Sequence, residues 1–184
     1  PAIAAVVFLI ITSPYRVQRL TAFMDPWADP QGAGYHPIQS MLGFASGGLT
    51  GRGLGNGWIK FGYLPEDTTD FLFPVICEEL GVAGAVLVVG LYLALLWVGY
   101  GIIRDTRHLF CRLLGLGILT TIAAQALMNL AVVTVLVPPK GIALPLLSAG
   151  GTGWVTCAGA IGLLAAVDRI NQLEAEEQTD PTGD

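Results

Sequence analysis

Charge is what this sequence has least of. Of its 184 residues, 12% are Asp, Glu, Lys or Arg, against roughly a quarter in a soluble globular domain. That shortage excludes an ordinary soluble enzyme and a disordered chain, and with the basic residues so few it excludes a nucleic-acid binder. Cysteine is scarce too. Cys77, Cys111 and Cys157 stand far apart with no metal-ligand spacing, so they read as small apolar packing residues and say little about redox compartment. The amino terminus lacks the basic lead-in and small-residue cleavage site of a signal peptide. Pro1–Ile11 reads instead as the last turns of a truncated span, and the chain is expected to be the carboxyl-terminal part of a larger protein.

Long uncharged runs take the place of charge. Twenty-four uncharged residues separate Glu79 from Arg104, 27 separate Arg112 from Lys140, and 27 more separate Lys140 from Asp168. About 20 apolar residues cross a bilayer core as a helix, so each run is long enough to span. Hydrophobic types reach 53% and mean hydropathy is +0.65. The expected fold is all-α, a polytopic transmembrane helix bundle. The net charge of −5 lies wholly in Asp168–Asp184, which holds six acids and one base; it describes a solvated tail and no acidic or basic partner.

Along the chain, 1–13 is expected to end a span, 14–70 to form a large extracytoplasmic loop, 71–103, 113–135 and 152–167 to be spans, and 168–184 to be an acidic cytoplasmic tail. The interval Arg16–Asp70 carries nine charges and ten of the 24 glycines, too long for an ordinary connection. Its two Asp-Pro pairs in Asp25–Pro30 mark turns. Ile38, Met41, Leu42 and Ala45 fall on one helical face, and Pro37 suits a first turn, so a short amphipathic helix is expected against the membrane or other spans. Ser46–Gly57 (SGGLTGRGLGNG) is a glycine-rich loop whose backbone can approach a ligand closely. After Pro138-Pro139, the segment Leu144–Gly151 is apolar but broken by proline and glycine. It is expected to re-enter the membrane, buried in protein or lining a cavity. Arg104, Arg107, Arg112 and Arg169 place the short link and the tail in the cytoplasm by the positive-inside rule, leaving the glycine-rich interval outside.

Polar side chains at or inside spans are costly and mark function. Here they are Asp70, Glu78, Glu79, Gln125, Asn129, Lys140 and Ser148, with the charged ones at one membrane face. Each has a plainer reading. Asp70 precedes an apolar helix and can cap it, which the residues alone favour. Glu78 and Glu79 can pair with a base. Gln125 and Asn129, at i and i+4, can hydrogen-bond between helices. Arg16 and Arg19 can anchor at the interface. His36 reads as a loop residue with no catalytic part. The glycine cluster lacks the P-loop lysine.

The order of the motifs is more specific than any one of them. Tyr15-Arg16-Val17-Gln18-Arg19-Leu20, the Asp25–Pro30 run, Gly32-Ala33-Gly34-Tyr35 with Ile38-Gln39-Ser40, Ser46-Gly47-Gly48-Leu49, Gly53-Leu54-Gly55-Asn56, Tyr63-Leu64-Pro65-Glu66, Thr69-Asp70-Phe71, Glu78-Glu79-Leu80-Gly81, Gln125-Ala126-Leu127 with Asn129, Pro139-Lys140-Gly141 and Leu144-Pro145-Leu146-Leu147-Ser148 occur in sequence. Together they resemble the SEDS family (FtsW/RodA/SpoVE), nearer its division branch, from about Pro14 to Val167.

The resemblance implies about four of ten spans of a bacterial cytoplasmic-membrane protein that polymerises lipid II into peptidoglycan glycan strands at the outer face. It implies as partners a class B penicillin-binding transpeptidase and divisome or elongation proteins, with no nucleic acid. Asp70 takes the position of the family's essential aspartate. As general base it would accept the proton of the attacking sugar hydroxyl. Arg16, Arg19, Arg52, Lys60 and Lys140 would neutralise the leaving diphosphate, and Glu78, Glu79, Gln125, Asn129 and Ser148 complete the expected substrate site. No cofactor is certain; a divalent cation (Mg or Mn) is a candidate to share the diphosphate charge. The chain departs from the family pattern at Thr68, Pro139, Ala149 and Thr152, which bears on substrate contacts. A lipid-linked precursor flippase and a non-catalytic divisome scaffold are the alternative readings.

Overall fold

The computed structural model describes residues 14–58, 71–148 and 151–179. Those residues form five α-helices and no strand: α1 Pro14–Met24, α2 Tyr35–Gly47, α3 Leu72–Asp105, α4 Leu109–Val133 and α5 Gly151–Thr179, with a 3-10 turn at Pro26–Ala28. Three of them, α3, α4 and α5, are long and apolar enough to cross a membrane. Only 22%, 33% and 11% of their apolar stretches are buried, so most of that surface is left for lipid or further helices. The chain divides into two compact units, Pro1–Ala85 with Met128–Ile142, and Val86–Leu127 with Ala143–Asp184.

The first unit begins with a helix that the sequence did not announce. α1 mixes two arginines and a glutamine with its apolar residues and stops where Pro26 removes the next backbone donor. The expected Asp-Pro turns follow. The Asp25 carboxylate accepts the Trp27 N–H at 3.1 Å, and the Asp29 oxygens accept the Gly32 and Ala33 N–H groups at 3.1 and 3.2 Å. α2 lies where the periodicity puts it, with Pro37 in its first turn.

Its packed stripe differs from the expected one. Ile38 is buried, but Met41, Leu42 and Ala45 face outward, and the buried stripe is Ser40, Gly43 and Gly47. Small residues win there because backbone comes close. A Cβ on Gly47 would run into the Cys77 carbonyl oxygen, and the Ser40 hydroxyl donates to the Val133 carbonyl at 2.5 Å, where α4 ends.

α3 is one helix in outline and two in backbone. Gly81 takes φ 65° and ψ −153°, outside helical geometry, which glycine tolerates and residues with a Cβ do not. The uncharged run alone predicts one continuous span here; the backbone breaks it.

In the second unit, Ile103, Leu119 and Leu164 form a small core with Leu96 and Ile102 against it. Gly99 and Gly115 let them close in, since a Cβ there would lie 2.6 Å from Leu119 and 2.7 Å from Ile103. Thr106, buried between α3 and α4, donates to the Ile102 carbonyl at 2.7 Å. Asn171 of α5 donates to the same carbonyl at 3.1 Å and to the Thr106 hydroxyl at 3.0 Å. α5 therefore runs past Val167, through most of the acidic tail. Composition reads that stretch as solvated; Asn171, and Glu174 at 2.7 Å from His108, give it partners.

Candidate functional site

The polar heart of the first unit is the break in α3. The main chain of the glycine-rich loop is laid across it. Arg52 and Gly53 N–H groups donate to the Glu78 and Glu79 carbonyls at 3.0 and 2.9 Å, and Val82 N–H donates back to the Gly48 carbonyl at 3.1 Å. The loop thus satisfies backbone groups that the broken helix leaves open. Glycine is required on both sides. A Cβ on Gly81 would lie 2.5 Å from the Gly51 nitrogen, and one on Gly51 would run into the Glu79 carbonyl oxygen.

Side chains complete the arrangement. Glu78 is 2% exposed. Its Oε1 accepts the Trp58 N–H at 3.0 Å and the Ser46 hydroxyl at 3.3 Å, and Arg52 Nη1 stands 3.6 Å away. The Arg52 guanidinium also lies over the Trp58 ring, 5.3 Å from its centroid, a cation–π distance. Trp58 itself is largely exposed. Glu79 is half-buried.

A second cluster surrounds Lys140. Arg19 of α1 donates to the Pro139 carbonyl at 2.8 Å. Asn129, 1% exposed, donates to the Ile142 carbonyl at 2.7 Å. These two bonds hold the extended segment on either side of Lys140, whose own side chain is exposed. Asn129 and Gln125 do not share a burial state, since Gln125 is exposed.

In the second unit, Ser148 is buried and closes a turn. Its hydroxyl accepts the Leu144 N–H at 2.7 Å, and its own N–H donates to the Leu144 carbonyl at 3.0 Å. The Tyr92 hydroxyl donates to the Pro145 carbonyl. The expected re-entrant segment is thus a hydrogen-bonded turn over its described residues, with Leu144 and Pro145 buried.

Of the expected site residues, the first unit brings Arg52 and Glu78 together, with Glu79 adjacent in sequence, and sets Arg19 and Asn129 around Lys140. Arg16 lies in α1, where its backbone alone is described; Asp70 and Lys60 lie outside the described residues. Phe71, next after Asp70, is buried and stacked on His36 with centroids 5.3 Å apart. Sequence reasoning missed Ser46, Trp58 and Gly81 as parts of this site. A glycine two residues after a pair of glutamates, at the head of an apolar run, was the signal for the break.

Residues 2–173 match the FtsW/RodA/SpoVE family, described as cell cycle proteins. The chain belongs to that family. Stage V sporulation protein E of Bacillus subtilis is 42% identical over 164 residues, covering 89% of this chain and 45% of its own length. The probable peptidoglycan glycosyltransferase FtsW of Halomonas elongata is 44% identical over 176 residues, 94% of this chain and 44% of the relative. A solved structure, described as showing structural coordination of polymerization and crosslinking by a peptidoglycan synthase complex, superposes with TM-score 0.67 at 26% identity. It covers 100% of this chain and 48% of that one. The chain spans a little under half the length of the curated relatives it matches. Family membership and three apolar helices make it an integral membrane protein of the FtsW/RodA/SpoVE kind, as its motifs led us to expect.

Among the described residues no three His, Cys, Asp or Glu side chains gather, and Glu78 is engaged by two hydrogen-bond donors and a guanidinium; Glu66, Asp67 and Asp70 lie outside the described residues.

Proposed function

We propose that the protein containing this chain is a peptidoglycan glycosyltransferase that polymerises lipid II at the outer face of the bacterial cytoplasmic membrane. The observation that carries this is 44% identity over 94% of the chain to a relative named as a probable enzyme of that activity. The Lys/Arg distribution supports the orientation. Arg104, Arg107 and Arg112 stand where α3 gives way to α4, and Arg169 follows the apolar part of α5; the positive-inside rule assigns such residues to the cytoplasm.

The reaction asks for a base, an electrophile and a charge sink. Asp70 takes the proton of the acceptor hydroxyl. The hydroxyl oxygen bonds to the anomeric carbon as the bond from that carbon to the diphosphate oxygen breaks, and the electron pair leaves with the diphosphate. Cations then hold the released charge. Lys140 suits this task best among the described cations of the first unit. It is exposed on a segment pinned at both sides, whereas Arg19 and Arg52 are engaged with the Pro139 carbonyl and with Glu78. The expected cross-linking partner is a class B penicillin-binding transpeptidase. The likeness to a structure of a complex that couples polymerization to crosslinking supports it.

The test is polymerisation of purified lipid II by the full-length protein, with and without chelator, beside its Asp70→Asn variant. The expected result is polymer from the wild type and none from the variant at equal folded amount. Undiminished polymer from Asp70→Asn removes that residue from the mechanism. Lipid II crossing a vesicle membrane with no polymer formed replaces the reading with a transporter.

A further inference from the structure

We propose that Arg19 is a positioning residue: its guanidinium grips the Pro139 carbonyl and so sets where Lys140, the next residue, presents its charge. The inference rests on the polymerase reading, in which Lys140 holds the released diphosphate, for its catalytic consequence; its structural half stands apart from that reading. It replaces the direct diphosphate contact expected of Arg19 with support for another cation.

The main chain before Lys140 offers few handles. Pro138 and Pro139 carry no N–H, so a neighbouring element can hold them only by donating to their carbonyls. An arginine has donors and no acceptor. Arg19 of α1 meets that need across 120 positions of sequence, donating to the Pro139 carbonyl at 2.8 Å. After Lys140 the chain is held in the same way. The Ile142 N–H turns back to the Lys140 carbonyl at 3.0 Å, and Asn129 of α4 donates to the Ile142 carbonyl at 2.7 Å. All of these residues belong to the first unit.

The base of the segment is under strain. α4 ends in a turn in which Val135 takes φ 58°, a region that disfavours a β-branched residue. Leu136 and Val137 N–H groups close the turn on the Ala131 carbonyl at 2.8 and 3.2 Å. Such a conformation persists only while its surroundings impose it. Val135 can relax only if the chain beyond it swings, and Lys140 lies in that chain. Between the turn and Ile142, among the described residues, Arg19 supplies the tie to another helix. Without it, the chain from Pro138 to Lys140 is next held to another element only past Lys140, at Ile142. A lysine stem is flexible, so its ammonium is placed no better than the backbone it leaves. Stabilising a leaving group requires the cation in place before the charge develops. Loss of the Arg19 bond therefore falls on turnover through Lys140. Arg19 is half-buried and engaged with main chain, whereas Lys140 is exposed, which favours support over direct contact.

The experiment uses the full-length protein in one detergent. Its readouts are lipid II polymerisation in single turnovers, so that slow variants are still read, and trypsin cleavage after Lys140 in the folded state. Arg19→Met keeps the stem and removes the donor. It is expected to lower turnover about tenfold, the effect of losing a hydrogen bond from a charged group, and to quicken cleavage after Lys140 by about as much. Arg19→Lys, which still has a donor, is expected to recover most of both. Cleavage after Arg52 is the control and should not change. In a Lys140→Gln background, itself slowed about hundredfold, Arg19→Met is expected to slow turnover less than about twofold more, because a support acts only through what it supports. A further loss of about tenfold in that background marks a direct contact with substrate and overturns the proposal, as does unchanged cleavage after Lys140 in Arg19→Met. If Arg19→Met does not fold, Arg19→Gln, polar but shorter, takes its place. Should the wild type make no polymer, the functional reading fails, and the cleavage comparison still decides whether Arg19 holds the segment.

Discussion

Replacing Gly81 by alanine is the sharpest test of how the first unit is held together. The backbone there sits at φ 65°, ψ −153°, and a non-glycine residue forced into so sparsely populated a region costs about 1–3 kcal/mol. Strain is only the first part. The new methyl would sit 2.5 Å from the Gly51 nitrogen and 2.7 Å from the Leu49 carbonyl oxygen. Both are backbone atoms, so the loop as a whole must retreat. Retreat stretches the bonds from Arg52 and Gly53 to the Glu78 and Glu79 carbonyls and from Val82 to Gly48, each worth about 1 kcal/mol net. Alanine recovers about 0.5–1 kcal/mol by narrowing the unfolded ensemble. With two of the three bonds lost, the variant should be about 3 kcal/mol less stable. Gly90, in the same helix, is the control. A Cβ there meets nothing within 4 Å, so Gly90→Ala should change stability by less than about 1 kcal/mol, in the stabilising direction that helix propensity gives. Thermal unfolding of the full-length protein in one detergent, with trypsin cleavage after Arg52 as a local readout, compares the two. Equal behaviour of Gly81→Ala and Gly90→Ala would refute the close packing of loop on break.

Asn129→Leu removes the donor that holds the Ile142 carbonyl. It should cost about 1–3 kcal/mol, as for a buried hydrogen bond lost from one side, and quicken trypsin cleavage after Lys140 several-fold; unchanged cleavage would deny Asn129 its part in presenting that lysine. His108→Ala breaks the contact to Glu174, whose partners are 66% and 29% exposed. A contact so open to water is worth under about 0.5 kcal/mol, and a drop of several degrees in unfolding temperature would show that more of α5 depends on it than the geometry indicates.

The parts of this fold legible in the amino acids are those where one physical preference outweighs the rest. Long uncharged runs leave little but a helix across a membrane, and α3, α4 and α5 follow. Proline beside aspartate leaves little but a turn, and turns follow there, closed by bonds to the Asp25 and Asp29 carboxylates. What was not legible depends on who sits opposite. α1 has no clean apolar face. The packed stripe of α2 is Ser40, Gly43 and Gly47 because main chain approaches there, a fact about neighbours that periodicity does not hold. α5 outruns its apolar stretch because Asn171 and Glu174 find partners at the far end of α3 and the start of α4. At the candidate site, the pairing of Arg52 with Glu78 joins residues 26 apart, through a loop whose path only the glycines hinted at. The role of Asp70 comes from likeness to a family, as its capping reading came from its place before an apolar helix.

The interruption at Gly81 also divides α3 into parts of very unequal length. From Val82 to Ile103 the second half of α3 is roughly 33 Å long at 1.5 Å per residue, which already matches a hydrocarbon slab of about 30 Å. Leu72 to Leu80 are then not needed for the crossing. A bilayer matched to the longer part alone would leave Glu78 and Glu79 at the headgroup level, where a carboxylate needs far less compensation than it would amid acyl chains. The break would then fall at the shoreline, with the acids on its wet side.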